Sequence, residues 1–324
     1  MKPHPVIPKK SPKIVSVSRR TDIPAFYGDW FMRRIQEGFA GYVNPFSGTR
    51  HFVSLLPEKI VCLVFWSKNF APFMDTIRKL HSREYNCYFQ CTINAFPEIL
   101  EPTVVETPMA IETLKEMSRI CSPGQINWRY DPIVISEITT PDFHLNNFKS
   151  LASQLEGYVT RCYFSFPTFY GKVKRNFARI KNEKGITISD PPVDAKIDLA
   201  NQLAEIAYQH GITLHSCCGD YLIGERIEKA HCIDGDAIGK LFFDGSCTYK
   251  LKPSRAECGC AESTDIGAYD TCPAGCIYCY ANVNKEKSRR VHEKHDPRSV
   301  FLGHSYEESK RWIEESQIII KQIL

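Results

Sequence analysis

The stretch "IVCLVFWSKN", residues 60–69, decides how the rest of this chain is interpreted. Its first seven residues are apolar, a run that predicts a strand and is far too short to span a membrane. Ser67, Lys68 and Asn69 follow directly. Polar groups therefore stand where the strand ends, which is where parallel sheets carry their active sites.

The same alternation of a short apolar strand and a helical pattern recurs along the chain. One helix shows Ala110, Leu114, Met117 and Cys121 on a single face. Six strands are predicted, at 14–18, 60–66, 87–93, 126–135, 162–166 and 212–216. We therefore predict an α/β fold, a parallel (βα) barrel of complete or partial TIM type.

Charged side chains follow several of these strands. Arg19, Arg20 and Asp22 come after the first strand, and Arg129 and Asp131 lie in the fourth. We expect them to bind a polar or anionic part of a substrate or cofactor, because arginine grips carboxylate and phosphate with two parallel hydrogen bonds. For Arg129 and Asp131 a buried structural ion pair is an equally open alternative.

Composition and charge restrict the class of protein. The 324 residues are 43% hydrophobic and 24% charged, with a net charge of +4, which is normal for a soluble globular protein and neither requires nor excludes nucleic acid. We predict a disordered tail (1–12), a barrel core (13–220), a cysteine-rich segment packed on the barrel mouth (221–304) and a C-terminal helix (305–324). No secretory signal opens the sequence, so we expect a cytoplasmic location.

Fourteen cysteines in a long chain without an export signal argue against a disulfide scaffold and for metal-bound thiolates. Five lie in apolar segments and are interpreted as small hydrophobic residues: Cys62, Cys87, Cys91, Cys121 and Cys162. The other nine follow residue 216, and of these Cys247 is interpreted as structural.

The segment "CPAGCIYCYA", residues 272–281, carries Cys272, Cys276 and Cys279 in a C-x3-C-x2-C pattern. Three thiolates fall short of the four ligands of a structural zinc site, but they hold a [4Fe–4S] cluster with one iron left open. The pattern resembles the motif of the radical SAM superfamily, in which the motif normally follows the first barrel strand. The resemblance implies S-adenosylmethionine as a cofactor, and we assign Tyr278 and Lys68 to its binding.

The remaining late cysteines predict a second, fully ligated [4Fe–4S] cluster. Cys258 and Cys260 in "ECGC" can serve two irons of one cluster, and we assign Cys217 and Cys232 as the other two ligands. Cys218 is the rival of Cys217. The alternatives are a zinc site or ordinary buried thiols.

Several motifs together resemble one bacterial family catalogued only as a domain of unknown function. They are "VSRRTDIPAFY", "FWSKN", "WRYDPI", "CIDGD", "CGCAESTDIGAYDTC" and "CIYCYAN". The resemblance runs from about residue 13 to 305 and implies that the seven assigned cysteines are metal ligands. The "YCYA" ending is also similar to the spore photoproduct lyases, more distantly.

The sequence therefore favours a radical SAM-like iron–sulfur enzyme with two [4Fe–4S] clusters. We expect a small-molecule or nucleotide-like substrate, and a reductant such as a ferredoxin or flavodoxin. The alternative is a zinc-stabilised barrel that acts as a hydrolase or binding module, although the histidines show no H-E-x-x-H pattern. A plain electron carrier is a third interpretation. The basic stretch 285–295 is better explained as a solvated surface than as a nucleic-acid contact.

Overall fold

A computed structural model describes residues 13–245, 249–253 and 255–324. The predicted tail (1–12) and Cys247 lie outside these ranges. The strands are β1 (Lys13–Val17), β2 (Phe39–Val43), β3 (Arg50–Ser54), β4 (Ile60–Ser67), β5 (Cys87–Thr92), β6 (Ile126–Tyr130), β7 (Ile135–Ser136), β8 (Arg161–Phe164), β9 (Ile188–Ser189), β10 (Thr213–Ser216), β11 (Ile227–Lys229) and β12 (Ser263–Asp265). The α-helices are α1 (Ile23–Phe26), α2 (Gly28–Glu37), α3 (Met74–Ser82), α4 (Thr107–Ile120), α5 (Pro141–Leu155), α6 (Gly171–Lys184), α7 (Val193–Gln209), α8 (Gly235–Phe242), α9 (Lys285–Glu293), α10 (Tyr306–Glu315) and α11 (Gln317–Ile323). Among the described residues, no helix combines the length and the apolar character needed to cross a membrane.

Eight of these strands form one sheet in the order β11-β10-β8-β6-β5-β4-β1-β12, and every neighbouring pair is parallel. Starting at β1, seven strands of this sheet follow one another in chain order: β1, β4, β5, β6, β8, β10 and β11. The eighth, β12, pairs with β1 on its other edge. This is the strand order of a (βα)8 barrel. In the described residues no ladder joins β11 to β12. Instead, the amide of Ala261 donates to the carbonyl of Ile233 at 2.9 Å across this gap, which we call the seam.

The predicted α/β fold is confirmed, and the sheet is larger than the six predicted strands. β11 and β12 lie within the predicted cysteine-rich segment, 221–304, so this segment contributes to the sheet itself. The predicted strand 126–135 ends at Tyr130, since Pro132 has no amide to continue the ladder. The predicted C-terminal helix begins with a Ser305–Glu308 capping box but is divided at Ser316 into α10 and α11.

Successive residues of each strand point to opposite faces of the sheet. One face packs against the helices through side chains such as Phe65 and Trp128. The other carries Cys62, Tyr88 and Tyr163, together with residues from the segments on both sides of the seam. This inner face is where cysteines from distant parts of the chain meet.

Candidate functional site

Five cysteines form a ring of contacting thiols on the inner face, which we call the thiol ring. Its members are Cys217, Cys218, Cys232, Cys258 and Cys260. The Sγ atoms of Cys217 and Cys232 are 3.3 Å apart. Further thiol contacts join Cys217 to Cys218, Cys218 to Cys258, Cys258 to Cys260, and Cys260 to Cys232. The four predicted ligands and their rival Cys218 are therefore brought together.

The ring crosses the seam of the barrel. Cys217 and Cys218 follow β10, and Cys232 follows β11, whereas Cys258 and Cys260 precede β12. Gly259 allows this approach, because a Cβ there would lie 2.6 Å from the ring of His231. His231 Nδ1 also lies 2.6 Å from the Gly259 carbonyl oxygen. Glycine in "ECGC" thus lets the last two thiols reach the others.

Arginine side chains surround the ring. Arg129 donates to the Sγ of Cys232 at 3.3 Å, and Arg255 donates to the Sγ of Cys217 at 3.7 Å. The pKa of Cys232 is lowered well below its usual range by hydrogen bonds from Cys217 and Cys260 and by the charge of Arg129. Thiolate, the form that binds metals, is therefore favoured at Cys232. The hydrogen bonds between neighbouring thiols raise the pKa of Cys217 and Cys260.

The second cysteine group is the segment 272–281, which we call the cysteine loop. It follows β12, so it lies at the mouth of the barrel, meaning the carboxyl ends of the strands. Thr103 donates to the carbonyl of Ala274 at 2.8 Å, and Tyr280 donates to the carbonyl of Arg19 at 2.8 Å. Asn282 donates to the carbonyl of Cys272 at 2.6 Å. The loop is thus fixed to segments that follow β1 and β5.

Lys68 and Tyr278, both assigned to cofactor binding, meet through a residue that the sequence did not indicate. Glu101 Oε1 accepts from Lys68 Nζ at 2.8 Å and from Asn94 Nδ2 at 2.8 Å, and the Tyr278 hydroxyl also donates to it. Burial raises the pKa of Cys276 to about 12, and the charge of Lys68 opposes this rise. Lys68 therefore lies close enough to the cysteine loop to act on its thiols.

Arg129 and Asp131 connect the two cysteine groups. Arg129 Nη2 donates to Asp131 Oδ2 at 2.6 Å, and Ser165 donates to Asp131 Oδ1 at 2.5 Å. The amide of Asp131 donates in turn to Asn94 Oδ1 at 2.8 Å. A continuous chain of polar contacts therefore runs through Cys232, Arg129, Asp131, Asn94, Glu101 and Tyr278.

Two polar residues after β1, Asp22 and Arg20, fix this segment to its neighbours. Asp22 accepts from the amides of Ala25 at 3.1 Å and Lys68 at 3.0 Å, so it caps α1 and fixes it to the end of β4. Burial raises the pKa of Asp22 to about 6. Arg20 donates to the carbonyl of Gly267 at 3.4 Å.

Arg19 stands between the cysteine groups. Its Nε lies 3.8 Å from Asp265 Oδ2. Burial lowers the pKa of Arg19, but the negative charges of Asp265, Cys260, Cys232 and Tyr280 outweigh this effect and raise the pKa overall. Asp265, which the sequence analysis also missed, accepts at 2.6 Å from the hydroxyls of both Ser16 and Ser18. Asp265 therefore links β12 to β1 and to the segment that follows β1.

In the described part of the chain, no set of three or more His, Cys, Asp or Glu side chains has the arrangement that holds a single metal ion. The thiols of a tetrahedral zinc site would all lie about 3.8 Å from one another, given zinc–sulfur bonds near 2.3 Å. In the thiol ring, the contacts run between neighbours around a circle. Cys217 and Cys232 are closer than this, with their Sγ atoms 3.3 Å apart. A cubane is larger than a single ion and sets its thiolates further apart, so the ring thiols would have to separate to bind one.

Comparison with known proteins gives a family but no activity. Residues 14–281 match the family described as "Domain of unknown function (DUF1848)". No curated protein matches the sequence. Among solved structures, D-hydantoinase from a Bacillus sp. AR9 is similar, with 11% identity and a TM-score of 0.28, over 65% of this chain and 42% of the hydantoinase chain. Because the family match covers most of the chain, the chain belongs to the DUF1848 family.

Proposed function

We propose that this DUF1848 protein is an iron–sulfur enzyme with two [4Fe–4S] clusters at one barrel mouth. The first cluster takes the four thiol-ring ligands, and the second takes the three thiolates of the cysteine loop and keeps one open iron. The observation that supports this is the convergence of two separate cysteine groups that are linked by Arg129 and Asp131. When bound, such clusters supply one-electron chemistry.

The surroundings of both groups fit an anionic centre. A cluster with thiolate ligands is negatively charged, and burying negative charge is costly without nearby cations. Arg129 and Arg255 contact the thiol ring. At the cysteine loop, Lys68 lies near Cys276, and Lys285 donates to the carbonyl of Gly275. The protein thus provides cations at both groups.

The position of the cysteine loop supports a radical SAM-like interpretation. The loop follows the last strand, but that strand pairs with β1, so the loop lies beside the point at which the superfamily carries its motif. Lys68 and Tyr278 would hold S-adenosylmethionine at the open iron. Arg19 is our candidate for a polar or anionic substrate, because it lies between the two cysteine groups. A ferredoxin or flavodoxin in the cytoplasm is the proposed reductant.

The metal content of anaerobically purified protein tests this proposal. We expect a brown protein with about eight irons per chain, four for each cubane. Stoichiometric zinc without iron would instead support the zinc-stabilised barrel. For the SAM component, S-adenosylmethionine should change the electron paramagnetic resonance spectrum of the reduced protein. If the spectrum does not change when S-adenosylmethionine is added, the radical SAM assignment is wrong, whereas the assignment of the two clusters stands.

A further inference from the structure

A cavity of about 230 Å³ opens beside the thiol ring, and its walls include no residue of the cysteine loop. Its walls come from the segment after β8, the start of α7 and the segment after β10. Cys217 and Cys218 both line it. Its volume suits a small metabolite, since pockets for drug-sized molecules begin near 300 Å³.

The thiol ring has one sulfur more than a cubane needs. Cys217 is buried and contacts Cys232, whereas Arg255 contacts both Cys217 and Cys218. Cys218 is only half-buried and lies at the cavity wall. Its φ of 55° is a left-handed conformation that non-glycine residues rarely adopt, and such conformations concentrate at functional sites. Of the two thiols that line the cavity, Cys218 is therefore the more exposed and the one that a four-thiolate cubane can leave out.

The cavity wall places a cation deeper than its partner anion. Lys196 Nζ lies 2.5 Å from Asp190 Oδ1, but the Lys196 side chain is 11% exposed and that of Asp190 is 54% exposed. Water screens the exposed carboxylate more than the enclosed ammonium. The hydroxyls of Ser165 and Thr168 also line the space, and Ser165 is hydrogen-bonded to Asp131. The wall thus offers an enclosed ammonium, its exposed carboxylate partner and three hydroxyl-bearing side chains, those of Ser165, Thr168 and Tyr221.

We propose that this cavity binds a small molecule with a carboxylate or another anionic group. Lys196 is its cationic contact, and Cys218 is a free thiol that faces this molecule instead of iron. The anion site rests on the cavity alone, whereas the role of Cys218 rests on the proposed four-thiolate cluster. Since Ser165 contacts Asp131, and Asp131 contacts Arg129, the cavity wall at Ser165 is two hydrogen bonds away from the group that faces Cys232.

Alkylation of the anaerobic, cluster-loaded protein tests both parts. Iodoacetate carries a negative charge and iodoacetamide is neutral, and peptide mass spectrometry locates each adduct. We expect Cys218 to react while Cys217 stays protected. The ratio of iodoacetate to iodoacetamide labelling should be roughly fivefold higher at Cys218 than at Cys121, the effect of one partly screened charge. Cys121 is a half-buried thiol at the end of α4 and serves as the internal reference.

Variants of Lys196 distinguish the effect of its charge from an effect on folding. Lys196→Gln should bring the labelling ratio at Cys218 down to that at Cys121, and Lys196→Arg should keep it high. Lys115→Gln removes a lysine that is ion-paired with Glu112 outside the cavity and should change nothing. Equal ratios at Cys218 and Cys121 in the parent protein would overturn the anion site. Labelling of Cys217 with protection of Cys218 would overturn the free-thiol assignment.

The same experiment distinguishes failure of the anion-site inference from failure of the proposed iron–sulfur function. If the purified protein contains no iron, all thiol-ring cysteines become available to the reagents. The dependence of the Cys218 ratio on Lys196 then still tests the anion site. A protein that contains iron but shows no such dependence would reject this inference and leave the iron–sulfur assignment in place.

Discussion

The thiol ring and the cysteine loop are built in opposite ways. The ring draws its sulfurs from three separate segments and spans the seam between β11 and β12. The loop draws its sulfurs from one short segment that is already fixed to its neighbours by hydrogen bonds. A metal in the ring would therefore stabilise the barrel, whereas a metal in the loop would be presented by a barrel that has already formed.

The cations beside the thiol ring and the cysteine loop show the same contrast. Arg129 is buried and bonded to both Cys232 and Asp131, so it belongs to the framework. Lys68 has a flexible side chain whose amine is bonded to Glu101. The comparison predicts that changes at the ring reduce stability more than changes at the loop. The following predictions test this in order of their expected effect on the free energy of unfolding.

Replacing Cys258 and Cys260 together by alanine should have the largest effect. The ring cluster would be lost, and with it about half of the iron. The free energy of unfolding should fall by several kcal/mol, because metal-binding energy contributes to folding energy. Iron analysis and anaerobic denaturant unfolding measure both quantities. The matched control, Cys62→Ala with Cys162→Ala, removes two core thiols and should keep the iron, whereas full iron and stability in the ring variant would refute the assignment.

Arg129→Gln should come second. It leaves Asp131 without its partner and Cys232 without its cation, and breaking a buried pair in this way costs about 3 kcal/mol. We expect iron to be lost from the ring before the loop, measured by comparing the remaining cluster signals. Arg129→Lys keeps a charge and should show a smaller loss. Unchanged iron affinity in Arg129→Gln would show that this guanidinium does not support the ring.

Glu101→Gln should cost about 2 kcal/mol, since it removes the anionic partner of Lys68 and turns the charge-assisted hydrogen bond from Tyr278 into a neutral one. The effect should be confined to the loop. Iron content should stay complete, while the spectral response to S-adenosylmethionine weakens because Lys68 and Tyr278 lose their common anchor. A normal spectral response in Glu101→Gln would show that Glu101 does not contribute to S-adenosylmethionine binding.

Cys276→Ala should change stability least, by less than about 1 kcal/mol in the metal-free protein, because the loop keeps its other contacts. Yet it should lose the loop cluster, the spectral response and any slow formation of 5′-deoxyadenosine. The ring cluster should remain. Loss of both clusters in this variant would mean that the two groups are not independent, which would break the comparison.

The sequence pattern predicted the long strands and the positions of polar residues after them. A run such as "IVCLVFW" has enough consecutive apolar residues to be recognised. β11 and β12 were missed because each is three residues long, "IEK" and "STD", and neither has an apolar run. Their strand character depends on neighbours from other parts of the chain.

The candidate site was predictable where its residues are close in sequence. Cys272, Cys276 and Cys279 are grouped by their spacing alone. Glu101 carries no such signal, because it lies in a loop and meets Lys68 and Tyr278 only after folding. Spacing could not choose between Cys217 and Cys218, since adjacent residues both reach the ring.

The pairing of β1 with β12 has a consequence for biosynthesis. Ser16 and Asp265, whose side chains are hydrogen-bonded, are 249 positions apart. During translation one edge of β1 waits for β12, whose Asp265 is made 249 residues after Ser16. Contacts over such long separations form slowly and late. The thiol ring therefore cannot assemble before Cys260 has left the ribosome, nor the cysteine loop before Cys279 has, so the proposed clusters would be inserted only after these residues are made.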